Sequence, residues 1–322
     1  MQPDALIEIL KGHKVYVQTH NYPDPDAIAS AFGLQAFLRE HGIETILCYE
    51  GKVEKLSTKK MFQIFNISSF PIEEIHDMKP EDYIIVVDAQ KNNANITDFI
   101  GDEVACIDHH PVYAQYEYQY QDIRQVGACA SIIAEYFKVT GTPLSPQVAA
   151  ALAYGIKMDT ADFTRGSTGF DAEMFSYVFG KADTKLLNEM YKDVMEFKDL
   201  KAYGAAIDNV HVYDALGFAK IPFDCPDALI AIISDFILAL DVVTVSVVYA
   251  IRSDGIKFSV RSEVEETDAG ILTRSALDGI GSGGGHKEMA GGFIPVENVP
   301  MLGNDTDYVI EQRFLKHLKN TV

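Results

Sequence analysis

Four short apolar runs, Val15–Thr19, Thr45–Tyr49, Tyr83–Val87 and 104–107, constrain this chain more than any other feature of its sequence. They are close to continuously apolar rather than alternating, so both faces of each strand must be covered. The segments between them carry helical periodicity. Residues 27–41 form a predicted helix closed by Gly42, and 128–139 and 147–157 form two more. The last is opened by Ser145 as N-cap and Pro146 in the first turn. Strands alternating with helices predict an open α/β fold on a parallel sheet.

At 322 residues the chain is long enough for two domains. Residues 183–210 are helical in pattern, more charged, and free of strand signals. Beyond them, strands are predicted at 217–222, 242–251, 255–261 and 292–295, and helices at 227–240, 269–278 and 307–318. The expected organisation is a domain of residues 1–185, a helical connector of 186–212, and a smaller mixed α/β domain of 213–322.

Chemistry concentrates at the strand ends. The first run leads into His20-Asn21-Tyr22-Pro23-Asp24-Pro25-Asp26, the third into Asp88, and the fourth into Asp108-His109-His110, while Asp159 closes a helix. Open parallel sheets bind ligands beyond the carboxyl ends of their strands, so these groups converge on one crevice. Carboxylates and imidazoles crowded there repel one another and lose hydration, and divalent cations resolve that conflict. Imidazole and carboxylate without thiolate favour Mn, Mg, Co or Fe over a structural zinc. Asp24 and Asp26 flank Pro25 and are expected in an extended loop, pointing to different sides, with Asp88 between two ions. Two such ions acidify water and stabilise both oxygens of a phosphoryl displacement. Each residue alone has a plainer reading, as a turn former, a helix cap or a surface histidine. Their joint placement at successive strand ends favours the metal site.

A second signal is Gly281-Ser282-Gly283-Gly284-Gly285-His286-Lys287. It reads either as a flexible turn or as an anion cradle of backbone N–H groups, with His286 and Lys287 adding donors. Arg261, followed by Ser262, brings a planar fork that matches phosphate. The 27 Lys and Arg against 47 Asp and Glu leave a net charge of −20, which disfavours gripping long nucleic acid. That balance does not disfavour a small anion held by metals. Cys48, Cys106, Cys129 and Cys225 are widely spaced, which fits buried thiols in a reducing compartment. The first residues are acidic where a secretion signal is basic. The most apolar stretch, 228–240, is too short to span a bilayer. A cytoplasmic protein is expected.

His20-x-x-x-Asp24-x-Asp26-Ala27, Asp88, Asp108-His109-His110 and Asp159-Thr160 resemble, in order, the motifs of the DHH phosphoesterase family. Gly283-Gly284-Gly285-His286 resembles the signature of that family's associated C-terminal domain. Within the family the chain looks like the stand-alone oligoribonucleases and 3′-phosphoadenosine-5′-phosphate phosphatases, the nanoRNases. The resemblance implies two Mn2+ ions, with Mg2+ or Co2+ as alternatives. His20 and Asp24 would hold one, Asp26, His109 and Asp159 the other, and Asp88 both. It further implies that Asp108 supports the cluster and that His110 contacts the scissile phosphate or assists the leaving group. Arg261, Ser262, Gly283, Gly284, Gly285, His286 and Lys287 would bind substrate. The implied partner is a small phosphorylated nucleotide or short oligoribonucleotide, with a homodimer as candidate assembly and neither long nucleic acid nor membrane. Cyclic-dinucleotide phosphodiesterase, polyphosphate or pyrophosphate hydrolase, and a non-catalytic nucleotide-binding module are the alternatives. The chain lacks the basic C-terminal motif of type II inorganic pyrophosphatases and the length of a RecJ-type exonuclease. One departure stands out. NanoRNases commonly carry glycine after Asp-Thr, then an aromatic-Arg stretch, whereas this chain has Ala161-Asp162-Phe163-Thr164-Arg165, with an extra acid.

Overall fold

The apolar runs form strands with no solvent face. A computed structural model of the chain describes residues 3–53, 55–112, 115–192 and 195–318. It divides into two units, residues 1–194 and 195–322. The first unit contains α1 (Pro3–Leu10), β1 (Val15–Thr19), α2 (Pro25–Glu40), β2 (Thr45–Tyr49), α3 (Leu56–Ile64) and β3 (Ser69–Pro71). These are followed by β4 (Tyr83–Val87), β5 (Asp102–Asp108), β6 (Tyr120–Ile123), α4 (Cys129–Thr140), α5 (Pro146–Asp159), α6 (Gly169–Phe179) and α7 (Thr184–Tyr191).

The sheet runs β3-β2-β1-β4-β5-β6, and every pairing in it is parallel. From β1 the chain winds outward through β2 and β3, then returns to β4 and winds the other way. That reversal between β1 and β4 opens a crevice at their carboxyl ends. The residues at those ends are His20 and Asp88. Helices α2 and α5 approach closely because small residues line their contact. A Cβ on Gly155 would stand 2.6 Å from Ala29 Cβ and 3.2 Å from Asp26 Oδ1, and one on Gly33 would stand 2.7 Å from Leu152 Cδ2. This packing sets the start of α2 beside the end of α5, and so Asp26 near Asp159.

In the second unit come α8 (Leu200–Asp208), β7 (His211–Tyr213), β8 (Leu216–Ile221), α9 (Asp227–Leu238), β9 (Val245–Arg252) and β10 (Gly255–Ser262). Then follow α10 (Ala269–Leu277), β11 (Ser282–Gly285), β12 (Met289–Pro295) and α11 (Thr306–Leu318). Its sheet runs β11-β12-β10-β9-β8-β7 and is antiparallel except for the β8–β9 pair. One face packs Phe218 and Phe258 against Phe314 of α11, and the other packs Ala219 and Val248 against Ile230 and Ile233 of α9. Among the described residues no helix is long and apolar enough to cross a membrane. All four cysteines are buried and unpaired.

Candidate metal centre

Asp24 and Asp26 are not in an extended loop. Pro25 occupies the first turn of α2, where a missing N–H costs nothing, and Asp24 is the N-cap. Its Oδ1 accepts from Asp26 N at 3.0 Å and Ala27 N at 3.2 Å. Burial opposes its charge, but His20 and Lys55 outweigh this and hold its carboxyl well below the usual range. Asp26 is inside the helix and buried. Its Oδ2 accepts from Cys129 N at 2.7 Å and its Oδ1 from Ala130 N at 3.0 Å, so it caps α4, whose own N-cap, Ala128, has no side-chain acceptor. Burial beside Asp88 and Asp159 pushes the Asp26 carboxyl up.

His20 and His109 are each held so that Nε2 faces the carboxylates. His20 Nδ1 donates to the Asn21 carbonyl at 2.8 Å, and His109 Nδ1 donates to the Val126 carbonyl at 3.0 Å. His20 Nε2 then lies 3.9 Å from Asp24 Oδ1 and 3.7 Å from Asp88 Oδ2. His109 Nε2 lies 3.3 Å from Asp88 Oδ1 and 3.2 Å from Asp159 Oδ2. An imidazole anchored through Nδ1–H to a carbonyl is how metal-binding histidines are commonly oriented. Donor atoms of His20, Asp24 and Asp88 lie within 4.8 Å of one another, as do those of Asp26, His109 and Asp159. Asp88 adjoins both sets. Its backbone is left-handed, with φ +58°, and its buried Oδ1 accepts no hydrogen bond. A buried carboxylate oxygen without a donor is costly unless a cation faces it. The residues therefore fit hard divalent cations.

Asp108 is fully buried. Its Oδ1 accepts from His110 Nδ1 at 2.8 Å and its Oδ2 from Gln90 Nε2 at 2.7 Å. Burial would raise its carboxyl, yet His110 and Gln90 hold it low. The His110 side chain is 44% exposed, the most open of the cluster's histidines.

Charge balance without metal sets the pH response. Burial opposes the imidazolium of His20, but Asp24 and Asp88 outweigh it and carry its pKa up to about 9. A folded pKa above the ordinary histidine value of about 6.5 stabilises the fold below that value. The stabilisation is lost as pH rises towards 9. His109 moves in the same direction, where Asp88, Asp26 and Asp159 overcome burial. The melting temperature of chelator-treated protein is expected to fall between pH 6.5 and 9. With saturating Mn2+ the trend reverses, because imidazole binds a metal only when neutral. Calorimetry across that range, with and without metal, checks both.

The departure after Thr160 has a structural reading. Ala161, Asp162 and Phe163 have φ of +46°, +57° and +68°, three consecutive left-handed residues without a glycine. Phe163 N bonds to Thr160 Oγ1 at 3.2 Å, Arg165 N to the Thr160 carbonyl at 2.9 Å, and the Phe163 ring meets Phe175 edge-on at 5.2 Å. The extra acid, Asp162, pairs with Lys157 at 2.8 Å, and its side chain is 71% exposed. The turn delivers Arg165 Nη2 to the Asp159 carbonyl at 2.8 Å. A left-handed alanine costs about 1 kcal/mol relative to glycine. Ala161→Gly is expected to raise the melting temperature by about 2–4 °C, and scanning calorimetry of the metal-free protein would read it.

In the second unit the glycine segment is an edge strand, not a turn. Glycine is needed there for close packing on α10. A Cβ on Gly283 would stand 2.7 Å from Thr273 Cγ2, and one on Gly270 would stand 2.5 Å from the Gly285 carbonyl. The first α10 N–H groups are already bonded, Ala269 N to the Lys287 carbonyl and Gly270 N to the His286 carbonyl. His286 and Lys287 are exposed beside this strand, whereas Gly284 lies under the Arg274 guanidinium. Arg261 is not a free fork. Its Nε donates to Asp235 at 2.6 Å and its Nη1 to Ser259 Oγ at 3.0 Å. Ser262 is buried, with its hydroxyl turned to the Val264 backbone. Tyr249 and Phe258 are core residues, so neither offers a face for base stacking. Gln90 and Arg274 were not singled out by sequence, since a lone amide or arginine carries no spacing pattern.

The parallel sheet and the acid–imidazole cluster at its carboxyl edge define a family. The DHH family N-terminal domain matches residues 14–156, and the DHHA1 domain matches residues 212–312. The chain belongs to the DHH family and carries a C-terminal DHHA1 domain. An uncharacterized protein of Methanocaldococcus jannaschii is 27% identical over 282 residues, 87% of this chain and 58% of that protein. The cyclic-di-AMP phosphodiesterase GdpP of Geobacillus thermodenitrificans is 27% identical over 312 residues, 88% of this chain and 45% of its own. The chain thus spans about half the length of these relatives. An exopolyphosphatase-related protein from Bacteroides fragilis has the same fold, with a TM-score of 0.71 at 18% identity over 99% of this chain and 96% of its own.

Proposed function

We propose that this chain is a metal-dependent phosphohydrolase acting on small nucleotides, either short oligoribonucleotides or 3′-phosphoadenosine 5′-phosphate, with two Mn2+ ions as its preferred cofactor. The observation that carries this reading is Asp88, a buried carboxylate with an unbonded oxygen between two sets of histidine and aspartate donors. His20 and Asp24 would hold one ion, Asp26, His109 and Asp159 the other, and Asp88 both. Bound there, divalent cations acidify water and neutralise charge on phosphoryl oxygens. His110, ordered through Asp108 and the most exposed of the three, would give a proton to the leaving oxygen. Within the second unit, His286, Lys287 and Arg274 are exposed and offer positive charge or hydrogen-bond donors of the kind that bind phosphate. Arg261 would serve only after leaving Asp235. The net charge of −20 supports small anions over long nucleic acid as substrates.

A cyclic-dinucleotide phosphodiesterase is the second reading, favoured because the cyclic-di-AMP phosphodiesterase relative aligns across both domains. Initial rates with Mn2+ on 3′-phosphoadenosine 5′-phosphate, dinucleotides, longer RNAs, cyclic dinucleotides and pyrophosphate separate these readings. The first two are expected to be fastest. Comparable turnover of pyrophosphate would sink nucleotide specificity, and cyclic dinucleotides turning over fastest would establish the second reading.

A further inference from the structure

Gln90 is buried two residues beyond Asp88, and its amide is fully committed on the donor side. Nε2 donates to Asp108 Oδ2 at 2.7 Å and to the His110 carbonyl at 3.1 Å. The other Asp108 oxygen lies 2.8 Å from His110 Nδ1. Each oxygen of a fully buried carboxylate thus has one directional donor, and the carboxylate plane is set from both ends. The His110 backbone is tied to the same amide. Without Gln90, Oδ2 would be a buried acceptor without a donor, and the carboxylate would turn about its Cβ–Cγ bond. The half-open His110 ring has no other side-chain hydrogen bond among the described residues.

Resting on the hydrolase reading, we infer that Gln90 is a positioning residue: acting through Asp108, it fixes the plane of the His110 ring and so aims Nε2 at the leaving oxygen. As the P–O bond breaks, its electron pair stays on the leaving oxygen, which takes the proton from Nε2. The water consumed in hydrolysis supplies oxygen to phosphorus and returns a proton to His110.

Gln90→Met keeps the shape of the side chain and removes the donor. On a dinucleotide, whose leaving group is a poor alkoxide, kcat is expected to fall about tenfold with KM within about twofold. On bis-p-nitrophenyl phosphate, whose leaving group needs no proton, kcat should stay within about twofold of wild type. Mn2+ affinity by calorimetry should be unchanged, and adding Gln90→Met to Asp108→Asn should cause no further loss. Equal losses on both substrates, weakened Mn2+ binding, or additive losses overturn the inference. Gln90→Asn, with its amide drawn back by one methylene, gives the same pattern should Gln90→Met not fold. Long-range proton–nitrogen spectra of metal-free protein test the orientation without turnover. The variant should broaden or double the His110 ring signals and leave those of His20 unchanged. Unaltered His110 signals count against the inference, whereas a wild type that hydrolyses no phosphoester overturns only the hydrolase reading.

Discussion

Asp88→Asn is expected to abolish Mn2+-dependent hydrolysis, a loss of about 10³-fold or more. Removing a residue that merely orients a ligand costs about 10–100-fold, and Asp88 adjoins both donor sets rather than one. It is also the residue whose environment asks most for a cation, with a buried, unbonded oxygen and imidazole nitrogens 3.3 and 3.7 Å from its carboxylate. A second readout needs no substrate. Mn2+ at a hundredfold excess over its Kd stabilises wild type by about 2.7 kcal/mol, or about 5–10 °C for a unit of this size. The variant should lose most of that shift. A variant that kept full turnover, or the full metal-induced shift, would remove Asp88 from the centre.

Asp26→Ala should be the most destabilising change at the site even without metal. Its carboxylate accepts two backbone N–H groups at the start of α4, Cys129 N and Ala130 N, both buried. Leaving a buried donor unsatisfied costs about 1–3 kcal/mol each. Relief of crowding with Asp88 and Asp159 offsets part of this, so about 2–4 kcal/mol is expected. Amide exchange at Cys129 and Ala130 should accelerate with the fall in melting temperature. Asp26→Asn should lie between, because its amide offers one oxygen for the two donors. An unchanged melting temperature in metal-free Asp26→Ala would show that α4 does not depend on this cap.

Much of the first unit was legible in residue pattern. Buried parallel strands must be apolar throughout, so β1, β2, β4 and β5 announced themselves. β3 and β6 did not. Ser69–Pro71 is three residues long and ends in proline, and Tyr120–Ile123 carries two adjacent polar residues, Gln121 and Asp122, at its centre, both as expected of sheet edges. Asp24-Pro25-Asp26 was misread as an extended loop because proline breaks helices when interior, yet at the first position it starts them. The glycine segment was misread for a related reason. Glycine marks close approach as often as a turn, and only the contact with Thr273 decides which.

By itself the sequence determined the parallel sheet and the acids and imidazoles at its carboxyl edge, because both follow from the local order of residue types along each strand. Tertiary structure alone decided how those groups are held. Asp26 caps a helix that begins 103 residues later, Gln90 reaches Asp108 across 18 residues, and Arg261 is drawn to Asp235 rather than left open. Hydrogen bonds are short and directional, so residues distant in sequence form them only once packing of α2 on α5, and of each strand on its neighbour, has fixed their distances.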